Sequence, residues 1–155
     1  MKIYLGADHA GNALKEKIKK ELSIDGYDVK DFSPIKPHDG DDYPDYAFLV
    51  AETVAANNDS IGVLICDTGI GMAIAANKVQ GAYAAMVFNE FDAKRAREHN
   101  NANIIVFGSA DTKANHAIKL INLFVTTHFT ESERHVRRIG KIKYFEKYKQ
   151  KPSNE

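Results

Sequence analysis

Cys66, the only cysteine among 155 residues, sits in Ile65-Cys66-Asp67-Thr68-Gly69-Ile70-Gly71-Met72. The apolar run Ile61 to Ile65 before it reads as a buried strand, and Ala73-Ile74-Ala75-Ala76-Asn77-Lys78 after it as a helix. A cysteine at a strand's C-terminal end, ahead of a glycine-rich turn into a helix, meets free backbone N–H groups and the positive end of a helix dipole. That field favours a thiolate over a thiol. A soft base beside oxyanion donors suits proton-transfer or acyl chemistry on a small anionic substrate. Gly69 and Gly71 permit positive φ and close backbone approach, which a cysteine packed as a small core hydrophobe would not need. Thr68 adds a hydroxyl in the same turn. Asn77 is either a further donor near it or a surface helix residue. The turn lacks both the P-loop pattern and GxGxxG, so it gives a nucleotide little support.

Other polar groups fall where chemistry is possible, each with a plainer reading beside it. Asp8-His9 directly follows the first apolar run and forms either a substrate-orienting pair or, through Asp8, an N-cap for the next helix. His99 ends a helix, where a histidine commonly interacts with the dipole. Arg134 and Arg138 are four apart, so on a helix they share a face and present two guanidinium forks to a phosphate, unless that face is simply solvated. His38, His116 and His128 have no chemical neighbours of note and read as surface or structural residues.

The elements that must position these residues alternate along the chain. Strands are expected at Ile3–Ala7, Tyr27–Phe32, Gly62–Cys66, Ala82–Val87 and Asn103–Phe107. Leu14, Ile18 and Leu22 mark an amphipathic helix, and further helices are expected at Tyr46–Ala56, Glu90–Glu98 and Ala114–Thr126. Ser33 to Asp42, with Pro34, Pro37, Gly40 and several aspartates, reads as a loop. A charged tail helix is expected at about 131–149. Strands separated by helices imply βαβ units and an α/β fold, a parallel sheet covered on both faces, in one domain over residues 1–155. Ligands of such sheets gather beyond the strand C-termini, where Asp8-His9, Cys66-Asp67-Thr68 and Gly108-Ser109 are all expected.

Lys plus Arg and Asp plus Glu both number 21, so no global basic field gathers nucleic acid. One cysteine cannot form an internal disulfide, which fits a reducing compartment. The opening Met1-Lys2-Ile3-Tyr4-Leu5-Gly6 turns polar too soon for a secretion signal, and no apolar run approaches the roughly 20 residues of a membrane span. A cytoplasmic protein, with no membrane or nucleic-acid partner, is expected.

Taken in order, Gly6-Ala7-Asp8-His9-Ala10-Gly11, Asp42-Tyr43-Pro44-Asp45-Tyr46-Ala47, Cys66 to Lys78, Arg97-Glu98-His99-Asn100 with Asn103, and Glu133 to Ile139 resemble the ribose-5-phosphate isomerase B family, which also contains galactose-6-phosphate isomerase subunits. The resemblance implies a Rossmann-like, five-stranded parallel sheet in an α/β/α sandwich. It implies a homodimer, sometimes paired into a tetramer, with active sites shared between subunits and the tail helix used in dimerisation and phosphate binding. It implies interconversion of ribose 5-phosphate and ribulose 5-phosphate, with no metal or organic cofactor and a phosphorylated sugar as the only small-molecule partner. By the same resemblance His99 opens the sugar ring with Thr68 and Asp8 nearby, and Cys66 moves the proton between C2 and C1. Backbone N–H groups around Gly69 to Gly71, with Asn77, hold the enediolate oxygen. His9, Arg134 and Arg138 clamp the phosphate, and Tyr43 and Asn100 contact the sugar or the phosphate. Relatives without the cysteine place a glutamate two residues into the helix; that position here is Met72, which accepts no proton.

Two positions depart from the family pattern. Asp67 replaces a common glycine, where a carboxylate touching the thiol would raise its pKa, unless it points away or meets the sugar's hydroxyls. Tyr83 replaces a common arginine. Two other readings compete with the pentose enzyme: a galactose- or allose-6-phosphate isomerase on the same scaffold, and a non-catalytic sugar-phosphate-binding module. Cys66, His99 and both arginines in one chain favour the self-sufficient pentose enzyme.

Overall fold

The structure is a computed structural model and describes residues 1–34, 38 and 40–152. Five strands among these residues, β1 (Lys2–Ala7), β2 (Asp28–Asp31), β3 (Ser60–Cys66), β4 (Ala84–Met86) and β5 (Ile104–Gly108), form one parallel sheet in the order β2-β1-β3-β5-β4. Among the described residues six helices cover it: α1 (Asn12–Ile24), α2 (Tyr43–Ala55), α3 (Ile70–Ala76), α4 (Glu90–Asn100), α5 (Ala114–Thr126) and α6 (Glu133–Tyr148). The expected three-layer architecture is therefore present. No described helix is long and apolar enough to cross a membrane.

Strand alternation divides the core into two layers. Val63 and Ile65 join Ile3, Leu5, Ile105 and Phe107 beneath α1, α4 and α5. Leu64 and Cys66 point the other way, toward α2 and α3, with Tyr4, Ile104 and Val106. Two glycines in the strands bring α2 close. A Cβ on Gly6 would fall 2.9 Å from Val50 Cγ2, and one on Gly62 would fall 2.8 Å from Val50 Cγ1. With hydrogen at both positions, Val50 seats against the sheet and sets the height of α2 above it.

Several boundaries differ from expectation for identifiable reasons. Helix α2 starts at Tyr43 rather than Tyr46, because Pro44 lies in its first turn, where a missing N–H costs nothing, and Asp45 complements the dipole there. Helix α3 starts at Ile70 because Gly69 takes φ +79° and turns the chain immediately after β3. Strand β4 is shorter than Ala82–Val87. It is an edge strand, and the Asn77 side chain bonds both the N–H and the carbonyl of Ala84 on its open side. Of the expected 33–42 loop, Ile35, Lys36, Pro37 and Asp39 lie outside the described residues.

Candidate active site

The chain runs from β1 to one side and from β3 to the other, so the sheet's switch point is the crevice between the C-terminal ends of β1 and β3. Cys66 ends β3 and is buried, with 5% of its surface exposed. Its Sγ accepts the Gly69 N–H at 3.2 Å. The left-handed Gly69 creates that contact by folding the chain back over the sulfur. Thr68 is exposed and its Oγ1 accepts the Ile70 N–H at 3.4 Å. Ala73 N–H is bonded back to Gly69 at 3.0 Å, so the Gly71 and Met72 N–H groups belong to the first helical turn, which has no intrahelical acceptors. Met72 itself is fully buried in the core beneath α2.

Three strand ends converge on this turn. Ser109 and Ala110, just past β5, donate their N–H groups to the Cys66 and Asp67 carbonyls at 2.9 and 3.0 Å. Ser109 Oγ donates to the Ala10 carbonyl at 3.0 Å, joining the β5 end to the β1–α1 turn. Asp8 is buried and its Oδ1 accepts the Gly11 N–H at 3.0 Å, which braces the turn into α1, but the N-cap of that helix is Gly11 and not Asp8. His9 is held by Asp41, whose Oδ1 lies 2.6 Å from the ring Nδ1 and accepts the His9 N–H at 3.0 Å. Tyr46 Oη donates to the other oxygen of Asp41 at 3.1 Å. Burial pushes the Asp41 carboxyl up, but the bonds from His9 and Tyr46 outweigh it and hold the group below its ordinary range. From the start of α2, the Tyr43 ring reaches Gly71. Asp67 points to solvent.

A second cluster forms around the end of α4 and the start of α6. The rings of His99 and His135 lie 4.2 Å apart, and Arg95 Nη1 is 3.0 Å from His99 Nε2. Partial desolvation, then the neighbouring His135, Arg95 and Arg134, lower the His99 pKa; Glu98 opposes them. His135 is buried between Thr130 Oγ1 at Nδ1 and Arg134 Nε at Nε2, 3.0 and 3.2 Å away. Arg134 Nε donates to that nitrogen. Arg134 and Arg138 are exposed one turn apart on α6. Asn100 is exposed and lines a cavity of ≈ 430 Å³ between β4, α4 and α6, together with Tyr83, Arg95 and Ile142.

Within one chain these two clusters do not meet. Cys66 pairs with Gly108 at the end of β5, whereas His99 precedes the start of β5, where Ile104 pairs with Gly62. Four residues of parallel strand separate those levels by about 13 Å. The chain therefore places His9, Tyr43, Cys66, Thr68 and the glycine turn at one edge of the sheet, and His99, Asn100, Arg134 and Arg138 toward the other. Asn77 does not face the turn either. It closes α3 about 12 Å along the axis from Gly69, and its amide donates to the Ala73 and Ala84 carbonyls at 2.9 and 2.8 Å.

Sequence reasoning missed Asp41 and Tyr46, whose link to His9 spans 32 residues and leaves no local signal. It also missed His135, although that residue lies inside the basic segment 134–138. Tyr83 has a visible partner: its hydroxyl donates to Glu146 Oε2 at 3.2 Å, and burial, with Glu146 beside it, pushes its pKa up to about 12.

A thiol at a glycine turn, set in the switch-point crevice of a doubly wound sheet, defines an α/β fold with an enzyme-like anion site. The ribose/galactose isomerase family matches residues 3–142, and the chain belongs to that family. The probable ribose-5-phosphate isomerase B of Mycoplasma pneumoniae is 42% identical over 147 residues, covering 95% of this chain and 96% of its own length. The ribose-5-phosphate isomerase B of Mycobacterium tuberculosis is 37% identical over 152 residues, covering 98% and 94%. The solved structure of ribose-5-phosphate isomerase B from Mycoplasma genitalium with bound ribulose-5-phosphate superposes with a TM-score of 0.89 at 42% identity, over 95% of this chain and 97% of that one.

Proposed function

We propose that this chain interconverts D-ribose 5-phosphate and D-ribulose 5-phosphate through a cis-enediolate, with Cys66 as the base and each active site shared across a homodimer. The observation that carries the reading is the Gly69 N–H on Cys66 Sγ, in a family whose Mycoplasma genitalium member was solved with ribulose-5-phosphate bound. The Cys66 thiolate removes the proton from C2. The C2–H electron pair forms the C1–C2 double bond, and the carbonyl electrons move onto O1. Backbone N–H groups of the first turn of α3 face that charge, and one such donor is typically worth about 10²–10³ in rate. A proton passes from O2 to O1, the double bond shifts to C2–O2, and the thiol returns its proton to C1. No electron leaves the substrate, so the cycle consumes neither metal nor redox cofactor. His9 and Tyr43 meet the substrate from the same chain.

The remaining roles belong to the partner copy. His99 stands about 13 Å from the level of Cys66 in its own chain, so a second copy has to supply it. That copy's α6 would bring Arg134 and Arg138 to the phosphate. Exposed Val136, Ile142, Phe145 and Tyr148 give α6 an apolar surface for such a contact. A homodimer is the state this arrangement needs.

The test is isomerisation of ribose 5-phosphate by purified protein with EDTA present. Wild type turns over, and Cys66→Ala binds substrate without turning over. Mixing inactive Cys66→Ala and His99→Ala chains regenerates one intact site in each heterodimer, about a quarter of wild-type activity for random pairing. Turnover by Cys66→Ala rejects the base, and a mixture that stays inactive rejects the shared site. If ribose 5-phosphate is not a substrate, hexose 6-phosphates are tried next.

A further inference from the structure

We infer that Asp41 is a positioning residue that fixes His9 for binding the substrate's phosphate. The inference rests on the isomerase reading and assigns a role to a residue that touches no substrate itself. Asp41 lies in the segment leading into α2, and its side chain is 3% exposed while that of His9 is 42% exposed. A carboxylate so covered beside a solvent-facing imidazole is the inner half of a pair, with the ring as the outer half.

Its bonds define one geometry. Oδ1 accepts the His9 backbone N–H at 3.0 Å and lies 2.6 Å from Nδ1; Oδ2 accepts the Tyr46 hydroxyl at 3.1 Å. An ionised carboxylate only accepts hydrogen bonds, so the 2.6 Å contact requires the proton on Nδ1. The tautomer and the rotamer of the ring are thereby set together. Nε2 becomes the ring nitrogen through which His9 serves a phosphate. Tyr46 prevents Asp41 from rotating away, and Tyr46 is carried by α2, the helix that also places Tyr43 at Gly71. One helix start therefore sets two parts of the crevice: the aromatic wall at the glycine turn, and the orientation of the histidine.

The test compares Asp41→Asn and Asp41→Ala with wild type. Asparagine keeps an oxygen for the His9 N–H and Nδ1–H and loses the charge; alanine loses both. Three quantities are read: kcat, KM for ribose 5-phosphate, and the dissociation constant of inorganic phosphate from NMR titration, which needs no turnover. The expected result for Asp41→Ala is a rise of about tenfold or more in KM and in the phosphate constant together, with kcat within about threefold, as for loss of a charge-assisted bond. Asp41→Asn falls between. In a His9→Ala background the Asp41→Ala penalty shrinks to about twofold or less, because the residue acts through His9. Unchanged phosphate binding in Asp41→Ala overturns the inference. So does an undiminished penalty in the His9→Ala background, or a wild type that binds no phosphate. Asp41→Asn, nearly isosteric, guards against misreading a folding defect, and its melting temperature is measured alongside. A wild type that binds phosphate but does not isomerise ribose 5-phosphate rejects the isomerase reading and leaves the phosphate comparison to decide this one.

Discussion

The ring of Tyr43 occupies the space that any side chain at residue 71 would need: a Cβ on Gly71 would lie 2.5 Å from Tyr43 Cζ and 2.7 Å from Cε2. Gly71→Ala therefore has to displace the ring. Its expected effect is a loss of about tenfold or more in kcat/KM, ~1.4 kcal/mol of barrier, with stability changed by about 1 kcal/mol. In a Tyr43→Ala background the same substitution has room, and its added penalty falls to about twofold or less. Steady-state kinetics on the four proteins decide it; additive penalties would show that the two residues do not act through this contact.

Asp67 stands next to the thiol in sequence, yet its side chain is exposed while Cys66 is buried. Successive side chains at a strand end face opposite ways. Asp67→Gly is expected to leave kcat/KM within about tenfold, ~1.4 kcal/mol. A loss above about 100-fold, ~2.7 kcal/mol, would instead place the carboxylate on the substrate.

His99 carries a lowered pKa, through desolvation first and then the positive neighbourhood of His135, Arg95 and Arg134. Its neutral form is therefore favoured, and the acid limb of kcat/KM assigned to it is expected below pH 6.5, the ordinary histidine value. Arg95→Ala removes one like charge, so the His99 pKa and that limb should both move upward. Proton NMR titration of the imidazole, run beside the rate profile, checks the assignment. A resonance that stays in place would show that Arg95 does not tune this ring.

Lys15 is fully buried, with Nζ 2.9 Å from both Asp31 Oδ2 and Glu16 Oε1, and Lys19 reaches the same Asp31 oxygen at 3.0 Å. Burial raises the Asp31 pKa, but the bonds from Lys15, the Ser33 N–H and Lys19 outweigh it and hold the carboxyl below 3.8. A depressed carboxyl pKa stabilises the fold above the unfolded value and loses that contribution as pH falls through the folded one. Lys15→Met should cost about 3 kcal/mol near neutrality, because it leaves a buried carboxylate short of one partner. It should also move the acid-unfolding limb to higher pH, since Asp31 then protonates sooner. Urea unfolding at neutral pH and at pH near 4 measures both effects.

How far the site could be read from the sequence depends on how local each signal is. The Cys66 turn was legible because an apolar run, a cysteine and two glycines stand next to one another, and Ala114–Thr126 was recovered to the residue by its periodicity. The start of α2 at Tyr43 rather than Tyr46 was open to sequence reading through Pro44, a residue suited to a helix's first turn, but the composition that marks this helix begins only after it. Asn77 misled because it lies in the same short segment as the turn but at the far end of its helix. The separation of His99 from Cys66 was implicit in the alternation of elements: in a parallel sheet, a helix that leads into a strand ends at the edge where strands begin. The pairing of His9 with Asp41 was not, because nothing within ten residues of either announces it.

Val50 rests over Gly6 and Gly62, and the same helix carries Tyr43 and Tyr46 to the crevice. A methyl group added in the interior of either strand would lift that helix and with it the aromatic wall and the clasp on His9. In a mutational scan scored only by growth or turnover, Gly6 and Gly62 would thus sort with the substrate-contacting positions, although neither approaches the substrate. Measuring folded protein would not separate them from true contact residues either, since a tilted helix can leave the core intact while it misplaces what stands at its end.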